Sequence, residues 1–436
     1  MSFNNHSRST AVCGRLLLLC LSLVWHTSYA QEHATLLTKQ RALETAQQGD
    51  PAFARFAQEK LAHLKQADAV DYWPDPTVFV AAQNLPIDSF AMNQEPMTQL
   101  RAGIRQMLPR GDSLTIKQSV LQTQARQSDV QQQAYWAGLK RDIEIAWYDA
   151  WFWQKKQELL REDAVFLEQV IDFIDSLYQV GARDQSDLLG ARLELLKLEE
   201  LEIEASRHYL HFRHELDRLA AQTLNGEVGG ELPVIDLDTS RLPDFSKHPE
   251  FRMLDLRVDI ASDQVKLAEQ AYQPMWGFEV SYGMRQGDNM DGTDRVDFAS
   301  AGLSVQLPLF SPGRVDGDIQ AAQARGRAEQ LRRDEMLLRV TQQYRKLLSQ
   351  AQRLQAQLSL YQKDVLPLLR EQKQAALQAY QADRGDFKRV SELYRKEQAA
   401  RIAEQSLLVE SQKLQAQLAY WHVGEVAHPN KESQTP

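Results

Sequence analysis

Three histidines, His208, His211 and His214, come nearest in this chain to a metal-ligand set. Steps of three keep neighbouring side chains within reach on a helix, and neutral imidazole is a common ligand. No partner from a second segment is evident in the sequence, and a solvated helix face accounts for the same spacing. Elsewhere the catalytic vocabulary is missing. There is no phosphate-cradling glycine loop and no G-x-S-x-G nucleophile elbow. Arg110-Gly111-Asp112 reads as a strand-to-helix turn, where glycine permits the bend and Asp112 or Ser113 caps the helix. Both cysteines, Cys13 and Cys20, fall within the first thirty residues, so the remainder has no disulfide, thiol nucleophile or thiolate site. The expectation is a chain that is not an enzyme and needs no cofactor or resident metal.

The elements that would hold any site come in two copies. The first runs over about 31–224 and the second over 245–423, with a linker at 225–244 and a flexible tail at 424–436. Each copy has a short helical lead, two alternating strands, a very long helical run, a turn and a returning helix. The segment from Gly103 through Pro109 matches that from Gly302 through Pro308, and Tyr178 before one turn matches Tyr380 before the other. Duplication on this scale predicts pseudo-symmetry.

Strands are expected at about 77–85, 99–108, 275–285 and 298–309, where the period becomes two. Trp276, Phe278, Val280, Tyr282 and Met284 alternate with Gly277, Glu279, Ser281, Gly283 and Arg285. Ala299, Ala301, Leu303, Val305 and Leu307 form a matching row, so Trp276, Phe278, Val280, Tyr282, Leu303, Val305 and Leu307 are expected to face lipid. The first copy is more polar. Each run has the length of a tilted membrane strand, and the connections at 86–97 and 286–297 are long and polar. Four strands cannot close a barrel, so two, three or four copies would have to assemble.

Long helices are expected at about 112–179, 187–222, 314–382 and 386–422, with Pro367 kinking the third. The first contains no proline and one glycine, Gly138, and could extend about 100 Å. Leu188, Ala191, Leu195, Leu198 and Leu201 recur at coiled-coil spacing.

Residues 1–30 read as an export signal. Arg8 and Arg15 precede a short apolar run, and Ser28-Tyr29-Ala30 is a small-x-small cleavage site. Lipid attachment at Cys20 is disfavoured by the bulky Leu19 before it. Removing the signal takes two arginines and no acid from 50 basic and 59 acidic residues, leaving a net charge of −11. That balance argues against nucleic acid. No apolar run of helix-spanning length remains, so membrane entry would require a closed barrel.

These residues resemble the TolC-like outer-membrane efflux family. The resemblance rests on Pro308-Leu309-Phe310-Ser311-Pro312-Gly313-Arg314 before a helix start, on the Tyr178-Gln179-Val180-Gly181-Ala182 turn, and on the two-copy order over nearly the whole chain. It implies a mainly α fold with a small membrane β-barrel portion: a homotrimer with a 12-stranded barrel in outer-membrane lipid and an α-helical periplasmic tunnel. It also implies a Gram-negative outer membrane, a periplasmic adaptor and an inner-membrane transporter of the resistance-nodulation-division type. Trp73-Pro74-Asp75-Pro76, the segment Gln83 to Asp88, and His248-Pro249-Glu250 are similar to the branch serving heavy-metal pumps. Other small toxic solutes remain the alternative cargo, and a periplasmic coiled-coil scaffold the alternative architecture.

Within that resemblance the two turns become periplasmic tips. Val180, Gly181 and Ala182, with Asp383, Arg384 and Gly385, are expected to meet the adaptor. Asp184, Asp187, Asp383 and Asp386 are candidates for acid rings at the aperture, where threefold repetition would concentrate a negative field. The second tip lacks the valine-glycine pair of the first, so the two should dock unequally.

Overall fold

The computed structural model describes residues 36–232, 242–310 and 312–424. The expected export signal, part of the linker and nearly all of the C-terminal tail lie outside the described residues. In chain order the first half contains α1 (Lys39–Gly49), α2 (Pro51–Val70), β1 (Thr77–Gln83), β2 (Gln99–Met107), α3 (Ser113–Gln179) and α4 (Gln185–Leu219). The second contains α5 (Pro249–Glu269), β3 (Met275–Met284), β4 (Phe298–Gln306), α6 (Pro312–Leu360), α7 (Leu366–Gln381) and α8 (Phe387–Trp421).

Capping chemistry sets several of these starts. Asp50 accepts the Ala52 amide at 2.8 Å ahead of Pro51, which occupies the first turn of α2, where its missing N–H costs nothing. His248 and Pro249 repeat the device for α5, with imidazole Nδ1 accepting the Glu250 amide at 3.3 Å. At α3 the expectation is only half met. Gly111 adopts φ +45°, as the bend requires, but the Asp112 side chain makes no capping bond. Its amide instead donates to Gln270 Oε1 at 3.0 Å, tying the strand-to-helix turn of one repeat to the other.

Pro367 acts differently from a simple kink. A π-helical turn, Tyr361–Val365, separates α6 from α7, and the proline falls in the first turn of α7. Widening the turn is one way a helix accommodates a residue that cannot donate to the ladder.

The strands of the two repeats join into one antiparallel sheet, ordered β1-β2-β3-β4. The register places Val78 opposite Ile104, Ile104 opposite Val280, and Val280 opposite Ala301. One face therefore carries Val78, Val80, Leu100, Ile104, Trp276, Phe278, Val280, Tyr282, Leu303 and Val305, all exposed. Val280 is 65% exposed and Val78 71%, so the first repeat contributes to the same apolar face. Leu307 lies just past the end of β4 and is also exposed. The other face carries Gln99, Arg101, Arg105, Glu279, Ser281 and Ser300.

Below the sheet the helices run side by side. α4 packs on α3, α3 on α8, and α8 on α6 and α7, while α2 and α5 cover the upper part of α3. Two large cores hold this region. Ile143, Trp147, Tyr148 and Leu216 pack with Leu37 and Ala42, and the Trp147 indole donates to the Leu37 carbonyl at 2.8 Å. Phe245, Phe251, Tyr344 and Trp421 form the second core. Among the described residues no helix is long and apolar enough to cross a membrane.

Candidate functional site: the paired helical tips

Both long hairpins reverse through the same backbone motif. In the first, the Gly181 amide donates to Tyr178 O at 2.9 Å and the Ala182 amide to Leu177 O at 2.9 Å. In the second, Asp383 donates to Tyr380 O at 3.2 Å and Arg384 to Ala379 O at 2.9 Å. Each is the helix-ending turn that needs one left-handed residue. Gly181 supplies it at φ +71° and Asp383 at φ +59°. Aspartate is among the few side chains that visit this region, so it can stand where the first tip has glycine.

The side chains join the tips. Arg183 Nη2 donates to the Tyr380 carbonyl at 2.8 Å and forms an ion pair with Asp383 at 3.0 Å. Its guanidinium also lies 4.4 Å from the Tyr380 ring centroid. The Tyr380 hydroxyl donates to Asp187 Oδ2 at 3.1 Å. Beneath this cluster Ile174, Leu188, Ala191, Phe387 and Val390 pack around the buried Tyr380 ring. Burial, followed by the Asp187 charge and its hydrogen bond, pushes the Tyr380 phenol up to about 12. It therefore remains a donor throughout the physiological range.

The four candidate aperture acids thus have separate local settings. Asp187 and Asp383 are held in the cross-tip cluster. Asp386 caps α8, accepting the Arg389 amide at 2.8 Å. Asp184 precedes α4 without a side-chain capping bond. Val180, Gly181, Ala182, Asp383 and Arg384 are exposed at the extremity, with Gly385 partly covered. Val180 reaches 76% exposure.

Higher in the same helices lies a charged layer that the sequence reading missed. Asp163 on α3 accepts from Gln398 Nε2 at 3.0 Å and from Arg401 Nη1 at 2.9 Å, both on α8. Nearby, Glu397 takes Lys373 of α7 at 2.9 Å. Desolvation raises the Asp163 carboxyl above the ordinary range, opposed by the Gln398 bond and the Arg401 charge. These acids occur among many similar Glu and Asp residues on long helices, so only tertiary packing distinguishes them.

The three histidines do not converge. His208 stacks on Trp153 at 4.2 Å, His211 sits edge-on to Phe212, and His214 is exposed beside Asp217. Steps of three fall short of a full 3.6-residue turn, so the rings fan around α4. Among the described residues no group of three potential metal ligands gathers.

Residues 245–419 match the model for the outer membrane efflux protein family. That match spans the second repeat. The first repeat enters through the fold. The chain is similar to solved structures across 88% of its length. CusC, described with conformational changes that accompany transmembrane channel formation, has 15% identity, 92% of its chain covered and a TM-score of 0.71. VceC of Vibrio cholerae has 14% identity, 96% coverage and a TM-score of 0.71. The open-state MtrE channel of Neisseria gonorrhoeae has 14% identity, 88% coverage and a TM-score of 0.69. Such likenesses establish the TolC-like two-repeat fold. No curated protein matches the chain by sequence.

Proposed function

We propose that the protein is a passive outer-membrane exit duct of a tripartite efflux pump, working as a homotrimer. The observation that carries this reading is a sheet with one exposed face that is apolar apart from Gln106, both edges unpaired, continued directly by helices that reach 67 residues. A four-stranded antiparallel sheet starts and ends with oppositely directed strands. β4 of one copy can therefore pair antiparallel with β1 of the next, and three copies make a closed 12-stranded barrel. Apolar residues then face lipid. Tyr72, Trp73, Tyr272, Trp276 and Phe310, exposed around the helix-ward end of the sheet, have the character of an interfacial aromatic girdle.

The helical layer is open on the same two sides. α4 exposes Leu189, Leu193, Leu196, Ile203 and Leu210 at heptad spacing, and α6 with α7 exposes Leu331, Leu338, Leu360 and Leu368. Around the first seam stand Glu199, Glu200 and Glu202; around the second stand Arg339, Arg345 and Arg353. Opposite charge flanking two unpartnered apolar seams favours their pairing between copies.

Opening is a movement of the tips. The Arg183–Tyr380–Asp187–Asp383 cluster holds the two hairpins of one copy together, and adaptor contact at Val180 to Ala182 and Asp383 to Gly385 would release it. Energy comes from an inner-membrane transporter of the resistance-nodulation-division type; the duct performs no chemistry. Heavy-metal ions are the cargo favoured by the Pro74-Asp75-Pro76 and Asn84-Leu85-Pro86 segments, which lead into and out of β1. The test is biochemical. Heat-modifiable, detergent-extracted trimers in the outer-membrane fraction are expected, and a soluble monomer would eliminate the duct in favour of a periplasmic scaffold.

A further inference from the structure

The polar face of the sheet contains a charge cluster that the tip mechanism does not use. Arg101 Nε donates to Ser281 Oγ at 2.7 Å, and its Nη2 meets Glu279 Oε1 at 2.5 Å. From the other side, Arg105 Nε and Nη2 donate to Glu279 Oε2 at 2.9 and 2.6 Å. Phe79 lies between the two arginines, with its ring centroid 5.5 Å from one guanidinium and 5.6 Å from the other. It fits there because Gly103, between them on β2, has no side chain. A Cβ at that position would stand 2.8 Å from Phe79 Cζ.

The arrangement is built and unbalanced. One carboxylate serves two guanidinium groups, and the other residues on this face of the four strands are uncharged. Thr77, Ala81 and Gln83 occupy it on β1, and Ser300, Gly302, Ser304 and Gln306 on β4. Each copy therefore has an excess positive charge at the wall. Nη1 of both arginines is uncommitted within the cluster, and the Arg105 side chain is 53% exposed. Arginine held in fixed orientation by an aromatic face and a carboxylate is well suited to a planar or tetrahedral oxyanion.

We propose that, in the trimeric barrel, Arg101, Arg105 and Glu279 of the three copies form a cationic collar that binds small polyanions bearing phosphate or sulfonate groups. The inference rests on the duct reading, because only barrel closure brings three copies of the cluster around one lumen. Threefold repetition turns one excess charge into three facing across the same space. Salt screens them over about 8–10 Å, so the collar acts on solutes at the wall more than on the channel axis. It holds anionic solutes and negatively charged metal–ligand complexes at the wall, while screening leaves the axis open to the metal ions proposed as cargo.

The probe is a trisulfonated pyrene dye, titrated by fluorescence anisotropy into the purified full-length protein in neutral detergent, with trimer mass checked in parallel. Wild-type trimer is expected to bind the dye, less tightly as salt rises. Arg105→Gln should weaken binding about tenfold, the loss of one charge-assisted contact. Glu279→Gln, which removes the neutralising carboxylate and keeps both arginines, should tighten it. Unchanged binding by trimeric Arg105→Gln overturns the collar and leaves the duct standing. If Arg105→Gln does not assemble, the Glu279→Gln trimer decides: unchanged or weaker binding overturns the collar. Absence of a wild-type trimer overturns the duct itself.

Discussion

The two helical tips are alike in backbone and unlike in their side-chain partners. Both end a long helix with the same pair of amide-to-carbonyl bonds and a single left-handed residue, glycine in one and aspartate in the other. Tyr380 of the second tip is buried and bonded to Asp187, whereas its counterpart Tyr178 is 40% exposed. Duplication preserved the reversal of the chain because the turn depends on local dihedral angles. Side chains diverged because they answer to neighbours, and the two hairpins have different neighbours within one copy. The first tip consequently offers an open surface and a reaching arginine; the second supplies the tyrosine and acid that the arginine grips.

The strongest way to break this contrast is to block the open tip. Gly181→Trp places a large side chain at φ +71° on the proposed docking surface, and resistance conferred by the pump should be abolished while trimer formation persists. Full resistance at normal expression would remove Gly181 from adaptor docking. Next in size is the cross-tip cluster. Arg183→Ala or Tyr380→Phe should raise single-channel conductance in planar bilayers, each removing contacts that hold the hairpins together, while Tyr178→Phe should leave it unchanged. Equal effects at the two tyrosines would erase the distinction between the tips.

Charge selectivity should respond more modestly. Asp383→Asn with Asp386→Asn is expected to lower the cation preference measured from reversal potentials, and an unchanged preference sinks the acid-ring idea. The pH dependence tests Tyr380 directly. Its folded-state pKa, about 12, is above the ordinary phenol value of 10.0, so the bond to Asp187 contributes fully below pH 10 and is lost as pH rises through about 12. A conductance rise centred near pH 10 would contradict that burial. Smallest is the capping difference: Asp386→Ala should lower trimer stability in thermal denaturation by about 1 kcal/mol per copy, while Asp184→Ala should be near neutral. Equal losses would show that the unbonded Asp184 also caps its helix.

Much of this molecule could be read before folding. The strand at Trp276 to Met284 announces itself through period-two alternation, and α3 through an uninterrupted stretch with almost no breaker. Gly181 was identifiable as a turn residue because its backbone freedom is intrinsic. Arg183 was not, since an arginine after a turn has many possible partners and only the approach of the second hairpin selects Tyr380 and Asp383. The His208, His211 and His214 set failed for the same reason in reverse: spacing offered a ligand group, and packing against Trp153 and Phe212 dispersed it. Likewise the first repeat looked more polar along its sequence, yet register with β3 aligns Val78, Val80, Leu100 and Ile104 with the apolar face.

The two opposing charge features make different demands on a solute. Acids cluster at the tips, and an arginine pair dominates the polar side of the sheet. Neither pattern follows from the overall acidity of the chain, which averages them away.

By itself the sequence determined what depends on neighbours along the chain. It set the duplicated order, the strand faces, the long helices and the positions where they reverse. Tertiary structure decided what depends on distant segments: the joining of both repeats at β2 and β3, the Arg183 grip across the tips, the Asp163 layer and the sharing of Glu279 by two arginines. Periodicity and capping are governed by short-range sterics and hydrogen bonding, which the local sequence specifies. A charged side chain has no such local instruction, and its role emerges only when folding determines which opposite charge lies within reach.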